Sequence, residues 1–600
     1  MPEPNMTWFF QPRRHRDGAG PDHDDSAPGL ISLPAEVLQR HGARVLDPET
    51  AVAVSGYPQP RSTVYRARTL LVPRELQQEP TIGLINAVLD GVGMKLLPGA
   101  PSHETDHGNA DIVRRLAELP SPAVLVATEG NRTPMVVDAW VALQALRAAA
   151  GPPPDKAAPP PDKADGGRLY KKDVDRIALE HLLVGSAITG SPAYGGGGLT
   201  GDPGNSSGGS GPTSTDSYLF SGGDTRTPVA VLLDAPARML AADIANKYGR
   251  RPVVAVLDTG VRAHPWLNVE ARPGGGYDTD PDNNGDGFTE IDDDIQKAIR
   301  AEGEHAESSG DTPRQVIRHP WDTPVTANPL IGELGPAEGH GTFIAGIVRQ
   351  VVPDARVLAI RVMHSDDIVY EGDLICALSM LANRIALAET SDPDKMVDVV
   401  SLSLGYFSES ASDVAATFAL RQVIDTLLDM GVVVVAAAGN YSTSRMFYPA
   451  AFAQRPVPAG QVPLISVGAL NPNGSKAVFS NGGPWVTAWA AGAVMVSTLP
   501  TDINGSRTPD LRMRAHPAEQ MPPGVSLPSH REALDPDDYS SGWGLWSGTS
   551  FAAPLLAAHI VRSLLEGPAD PGSGLVLKPC GKQATTERAL AALTNMGWPG

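Results

Sequence analysis

Two cysteines, Cys376 and Cys580, are all that this 600-residue chain carries. A disulfide framework is therefore excluded as the device that holds it together. Two separate buried thiols are the expectation, a single bridge the alternative. Nowhere do ~18 apolar residues run together, so no membrane-spanning helix is expected. Arg13, Arg14 and Arg16 follow Phe9 and Phe10, and no apolar run follows those charges. An ordinary secretory signal is thus not expected. The default compartment is the cytoplasm; a misplaced start site or an unusual export route is the alternative. Basic residues are also scarce, 48 Lys and Arg against 68 Asp and Glu, for a net charge of −20. That balance argues against a nucleic-acid partner, which would need a basic face to neutralise phosphates, and without a long apolar run a membrane is not an expected partner either. The same acidity suits a protein that holds cations.

Glycine and proline are abundant, 62 and 56 residues, more than packed structure uses. PPPDKA occurs at 152–157 and again at 159–164, and 191–217 is rich in Gly and Ser. Both read as linkers, the first semi-rigid and the second flexible. A helix is expected between them at 168–188, with Ile177, Leu179, Leu182 and Leu183 on one side. Residues 1–30 are polar and expected to be disordered. Residues 31–150 read as a small α+β domain: strands at 63–72, 94–97 and 123–127, helices at 82–92, 111–119 and 138–149. From 227 to 600 the texture changes. Apolar, β-branched runs at 229–233, 253–257, 357–362, 397–402, 432–438 and 464–467 suit strands buried on both faces. Helical stretches at 342–350, 371–390, 412–430 and 550–565 accompany them. This is the pattern of an α/β layered domain, whose active sites form at the carboxyl ends of the strands.

Three segments carry chemistry. In Val256-Leu257-Asp258-Thr259-Gly260-Val261 an apolar strand ends in a carboxylate. Such a group can orient an imidazole and stabilise its protonated form; the plain reading is an Asp capping a turn. In Gly339-His340-Gly341-Thr342 a His stands between glycines at the start of a helical run. Imidazole suits general-base work near neutrality; a capping or core His is the plain reading. In Ser547-Gly548-Thr549-Ser550-Phe551-Ala552-Ala553-Pro554, Ser550 begins a helix whose N–H groups favour developing negative charge. The plain reading is an N-cap serine. A fourth segment, Ala436-Ala437-Ala438-Gly439-Asn440, sets an amide donor where it can meet an oxyanion; a turn Asn is the alternative.

In the order Asp258, His340, Asn440, Ser550, these segments resemble the subtilisin-like serine proteases (subtilases) over roughly 230–570. VLDTGV, GHGTFIAG, AAAGN and SGTSFAAP look like the family's Asp, His, oxyanion-Asn and Ser motifs. The resemblance implies an α/β fold: a subtilisin-like layered domain with a mostly parallel central sheet, preceded by a small α+β N-terminal region and flexible linkers. It implies a serine endopeptidase with Asp258, His340 and Ser550 as its triad and Asn440 as oxyanion donor, working through an acyl-enzyme. Ser403, Leu404 and Gly405 would pair with extended substrate, and Ala438 and Gly439 would wall the pocket before the cleaved bond. The partner is a protein or peptide substrate, and the chemistry needs no cofactor. Two rival readings are an idle subtilase scaffold that only binds, and an aspartic protease using the DTG of Asp258. The second leaves the His340 and Ser550 motifs unexplained.

Insertions are expected at about 270–325 and 498–540, as surface loops near the cleft. In the first, Asp282, Asn284, Asp286, Glu290 and Asp293 fall at positions 1, 3, 5, 9 and 12 of a stretch with Gly287 at 6. The spacing resembles an EF-hand calcium loop, departing at position 12, where Asp293 replaces Glu. A structural Ca²⁺ is one expectation, a solvated acidic loop the other. The strand and helix order over 63–127 resembles the ferredoxin-like inhibitory propeptide that precedes many subtilase domains. That implies an intramolecular inhibitor and a cut within 150–226; an unrelated small binding module, or an accessory domain that is never removed, is the alternative.

Overall fold

Short β-branched runs build the centre of the molecule. Val253–Asp258, Val399–Leu402 and Val433–Ala437 are buried at every residue. A strand with apolar side chains on both faces is stable only inside a sheet covered on both sides. The computed structural model describes residues 7–11, 31, 33–101, 110–128, 136–151, 168–186, 226–323, 332–410, 418–505, 509, 511–514, 531–572 and 574–599. In it these strands lie within an eight-stranded sheet. Its order is Trp8–Phe10, Ala488–Ala491, Leu464–Leu470, Val433–Ala437, Val399–Leu402, Val253–Asp258, Arg356–Arg361, Thr289–Glu290. All neighbours are parallel except Trp8–Phe10, which is antiparallel to Ala488–Ala491. Helices Thr549–Leu565 and His340–Val351 pack together against this sheet, and Glu371–Thr390 and Phe418–Asp429 form a second packed pair. The carboxyl ends of three neighbouring central strands therefore deliver Asp258, Ser403 and the 438–440 turn to one edge.

A second, seven-stranded sheet joins the N-terminal region to this domain. Its path runs Ile368–Tyr370, Ala178–Gly185, Thr63–Pro73, Pro120–Ala127, Met94–Leu97, with Ala43–Leu46 beside Thr63–Pro73 and Leu404–Gly405 beside Ala178–Gly185. Leu70 and Val72 face a core shared with helices Thr81–Asp90 and Ala139–Ala149. Val64 and Leu71 face the large core of the other domain. Side chains alternate with period two, so residues 64 and 71 share a face only because the pairing with Ala178–Gly185 shifts between Tyr65 and Leu70. The same face carries buried charge. Arg66 Nη2 lies 2.5 Å from Asp311 Oδ1, and Arg314 bridges Asp311 and Asp373 at 3.1 and 2.7 Å.

Departures from the sequence reading have tertiary causes. The helix expected at 168–188 is only Lys171–Val174, and Ala178–Gly185 is a strand. Its helix-like spacing of leucines loses to strand pairing on both sides, with every residue buried. Trp8–Phe10 is not disordered, because the open edge of Ala488–Ala491 offers it unpaired backbone. The 229–233 run forms no strand beyond Thr227–Pro228, and Leu232 is exposed. The 270–325 insertion contributes core. Thr289–Glu290 extends the central sheet, and helix Asp293–Ser308 buries Ile295 and Ile299. Cys376 and Cys580 are both free. The 152–157 repeat and the 191–217 linker lie outside the described residues. No helix among the described residues is long and apolar enough to cross a membrane.

Candidate active site

Asp258 is the last residue of its strand and is almost wholly buried. Its carboxylate accepts Thr259 N–H at 2.8 Å and faces His340 Nδ1 at 2.8 and 3.0 Å through its two oxygens. His340 opens helix His340–Val351 after Gly339, whose φ of 83° few other residues adopt. Gly341 is equally constrained, since a Cβ there would lie 2.1 Å from the Gly260 carbonyl oxygen. The glycines on either side of His340 thus let its helix start against the Asp258 loop. The imidazole packs edge-on to Trp546, and its Nε2 is buried without a hydrogen-bond partner among the described residues.

Ser550 sits in the first turn of helix Thr549–Leu565. Its Oγ donates to the Ser403 carbonyl at 3.2 Å, and Ser403 Oγ donates to the Ser550 carbonyl at 2.9 Å. Asn440 follows strand Val433–Ala437. Its Oδ1 accepts from Thr549 N and Thr549 Oγ1 at 3.0 and 2.9 Å, which turns Nδ2 the other way. Ala438 and Gly439 are buried beside it, held by Asn481, whose Nδ2 donates to the Ala438 carbonyl at 2.8 Å.

Strand Ala178–Gly185 and Ser186 thread this site. Leu404 and Gly405 pair antiparallel with Gly185 and Val184 on one side. Ile368, Val369 and Tyr370 pair with Val184, Leu183 and Leu182 on the other. Ser186 N–H donates to the Ser403 carbonyl at 2.9 Å. The Ser186 carbonyl oxygen then accepts from Ser550 N–H at 2.9 Å and Asn440 Nδ2 at 2.5 Å. Ser403, Leu404, Gly405, Asn440 and Ser550 thus touch the Ser186 carbonyl or the strand that leads to it, with Ala438 and Gly439 beside Asn440, while Asp258 and His340 pair with each other and Ser550 Oγ bonds Ser403 rather than His340.

The proposed calcium ligands are not brought together. Asp286 faces Arg251 at 2.5 and 2.6 Å, Glu290 faces Arg384 at 2.6 Å, and Asp293 begins a helix. Asp282 and Asn284 are exposed, and Asp280 closes the loop by accepting Asn284 and Gly285 N–H. The arginines supply the positive charge a cation would, so these residues do not fit Ca²⁺. No group of three or more His, Cys, Asp or Glu among the described residues is placed to hold a metal.

Several residues that shape the site do not stand out in the sequence. Thr549, inside the SGTS string, orients Asn440. Asp322 accepts Gly339 N–H at 2.7 Å and holds the His340 turn; burial, with Glu338 nearby, pushes its carboxyl up to about 7. Nothing around Asp322 in the chain signals that role. Residues 182–186 read as part of a helix, although LLVGS just before a Gly/Ser-rich linker is a plausible extended segment.

A layered α/β domain with an Asp–His pair, a serine at a helix N-terminus and an amide donor beside it defines the class. Residues 249–573 match the model of the subtilase family, more than half of the chain, and the chain belongs to that family. It is 30% identical over 203 residues to Subtilisin BL of Lederbergia lenta, covering 31% of this chain and 65% of that protein. It is 31% identical over 180 residues to Subtilisin E of Bacillus subtilis (strain 168), covering 28% and 40%. The chain thus spans less than two thirds of these relatives. Among solved structures, fervidolysin from Fervidobacterium pennivorans matches with a TM-score of 0.37 at 15% identity, covering 86% of this chain and 56% of that one.

Proposed function

We propose that the chain is a serine endopeptidase acting through an acyl-enzyme, and that its own segment 178–186 is its first substrate. One observation carries this reading: the Ser186 carbonyl oxygen lies between the Ser550 N–H and Asn440 Nδ2. Two donors converging on a carbonyl at the end of an extended strand are what the attack on a peptide bond requires. Ser550 Oγ leaves the Ser403 carbonyl and adds to the Ser186 carbonyl carbon. His340 Nε2 takes the hydroxyl proton, and Asp258 holds the imidazole by Nδ1–H and stabilises the imidazolium. The two donors stabilise the tetrahedral oxyanion. Its collapse breaks the Ser186–Ala187 bond, His340 protonates the leaving amine, and water then hydrolyses the ester.

The same placement supports reading the N-terminal region as an intramolecular inhibitor. Strand Ala178–Gly185 fills the gap between Leu404–Gly405 and Ile368–Tyr370, so no other polypeptide pairs there until it leaves. The aspartic-protease reading is disfavoured because Asp258 is committed to His340. A serine-directed phosphonofluoridate, added after the chain has been left to process itself, separates the remaining readings. The expected outcome is a covalent adduct on the peptide that carries Ser550 and loss of peptide hydrolysis. An unlabelled Ser550 with no hydrolysis would favour the idle scaffold.

A further inference from the structure

This inference rests on reading 178–186 as a substrate. The residue before the attacked carbonyl is Gly185, and its φ lies outside the left-handed region, so its backbone does not demand glycine. Space does. A Cβ at Gly185 would lie 2.0 Å from Asp367 Oδ1, 3.0 Å from Asp367 Cγ and 3.1 Å from Met363 Cε. Contacts this short between nonbonded atoms force one side to move.

The backbone that carries Asp367 is fixed, and burial leaves its side chain little free space to turn into. Its backbone is left-handed, with φ of 72°. Its N–H donates to the His364 carbonyl at 3.0 Å, and its own carbonyl accepts Gly185 N–H at 3.1 Å. The turn is closed again by His364 N–H on the Ile368 carbonyl at 2.9 Å. The side chain is buried, and Oδ1 has no hydrogen-bond partner among the described residues. Nothing in the catalytic steps uses this carboxylate. Burial, with Asp258 and Asp366 close by, pushes it well above the usual range. While a strand is docked it is therefore a wall more than a charge. The wall also faces only one position, since Val184 and Leu183 pair farther along with Ile368 and Val369.

We propose that Asp367 is a specificity residue that restricts the position immediately before the cleaved residue to glycine. The substrates are then polypeptides with a Gly–Xaa pair, cut after Xaa. Specificity here comes from exclusion, a clash built against every residue with a side chain.

The test uses the self-processed full chain and three fluorogenic peptides built on Leu-Leu-Val-Gly-Ser, with Gly, Ala or Lys at the fourth place. The wild type is expected to prefer Gly over Ala by about 10- to 100-fold in kcat/KM, as an overpacked methyl demands. Asp367→Asn, of the same shape, should keep that ratio, and Asp367→Gly should bring it towards one. A second route needs no added peptide. Gly185→Ala in the full chain should slow the cut after Ser186, and adding Asp367→Gly should restore it, which a merely misfolded variant would not do. Equal cleavage of the Gly and Ala peptides by the wild type, faster cleavage of the Lys peptide, or no rescue in the double variant would overturn the restriction alone. No cleavage of any peptide or of the chain itself would overturn the endopeptidase reading and this one with it.

Discussion

Asn440 is aimed by its neighbour. An amide has one accepting and one donating end, and Thr549 takes the accepting end with both its N–H and its hydroxyl. Nδ2 is left to point at the carbonyl in the cleft. A donor preset in this way acts on charge that develops during reaction, so its loss should appear in kcat. Asn440→Ala is expected to lower kcat by ~10²–10³ with little change in KM, a magnitude taken from subtilisin itself. Steady-state kinetics on a short peptide check this, and an effect confined to KM would make Asn440 a binding residue only. This much was legible, because Asp258, His340, Asn440 and Ser550 each lie in a contiguous string. Asp322 and Asp367 were not. Asp322 reaches the His340 turn, and Asp367 reaches Gly185, only through folding, and no local pattern surrounds either.

Two strands show what elements add. Trp8–Phe10 closes the central sheet. Phe10 meets Trp598 edge-on at 4.9 Å, and Trp8 leans on His559 at 5.9 Å. Both side chains are half-buried. Phe10→Ala should therefore cost about 1–2 kcal/mol, less than the ~3–5 kcal/mol of a fully buried aromatic. Denaturant unfolding checks this, and an unchanged midpoint would mean the strand is not held. Its three residues in a polar, arginine-rich stretch gave no periodicity to read. In Ala178–Gly185, His181 sits between Glu371 and Glu409 at 2.6 and 2.8 Å and stacks on Tyr406. Burial lowers its pKa, but the two carboxylates outweigh burial and raise it to about 10. A raised histidine contributes fully below its ordinary value of ~6.5 and loses that contribution as pH rises through about 10. Glu180 beside it is pushed by burial up to about 7. Its neutral form is the favoured one, so its contribution also falls as pH rises. For the Ser550→Ala chain, the unfolding midpoint should decline between about pH 6.5 and 9, more shallowly in His181→Gln. A midpoint that climbs over that window would contradict the clamp.

At the scale of the whole molecule the two sheets are one device. The central sheet sets Asp258, Ser403 and Asn440 along one edge, and the second sheet lends Ala178–Gly185 to that edge as a ready-made occupant. The strands at 253–258, 399–402 and 433–437 were legible because burial on both faces leaves continuous apolar runs. The joining of the domains was not. It depends on Arg66, Glu180 and His181 meeting Asp311, Arg314, Glu371 and Glu409, which are far away in the chain and read singly as surface charge. The central claim is that Ser550 attacks the Ser186 carbonyl of its own chain. Intact mass spectrometry of the wild-type protein beside Ser550→Ala tests it most directly. The wild type is expected to divide between Ser186 and Ala187 while Ser550→Ala stays whole. A wild type that stays whole, or a Ser550→Ala chain cut at that bond equally fast, would contradict it.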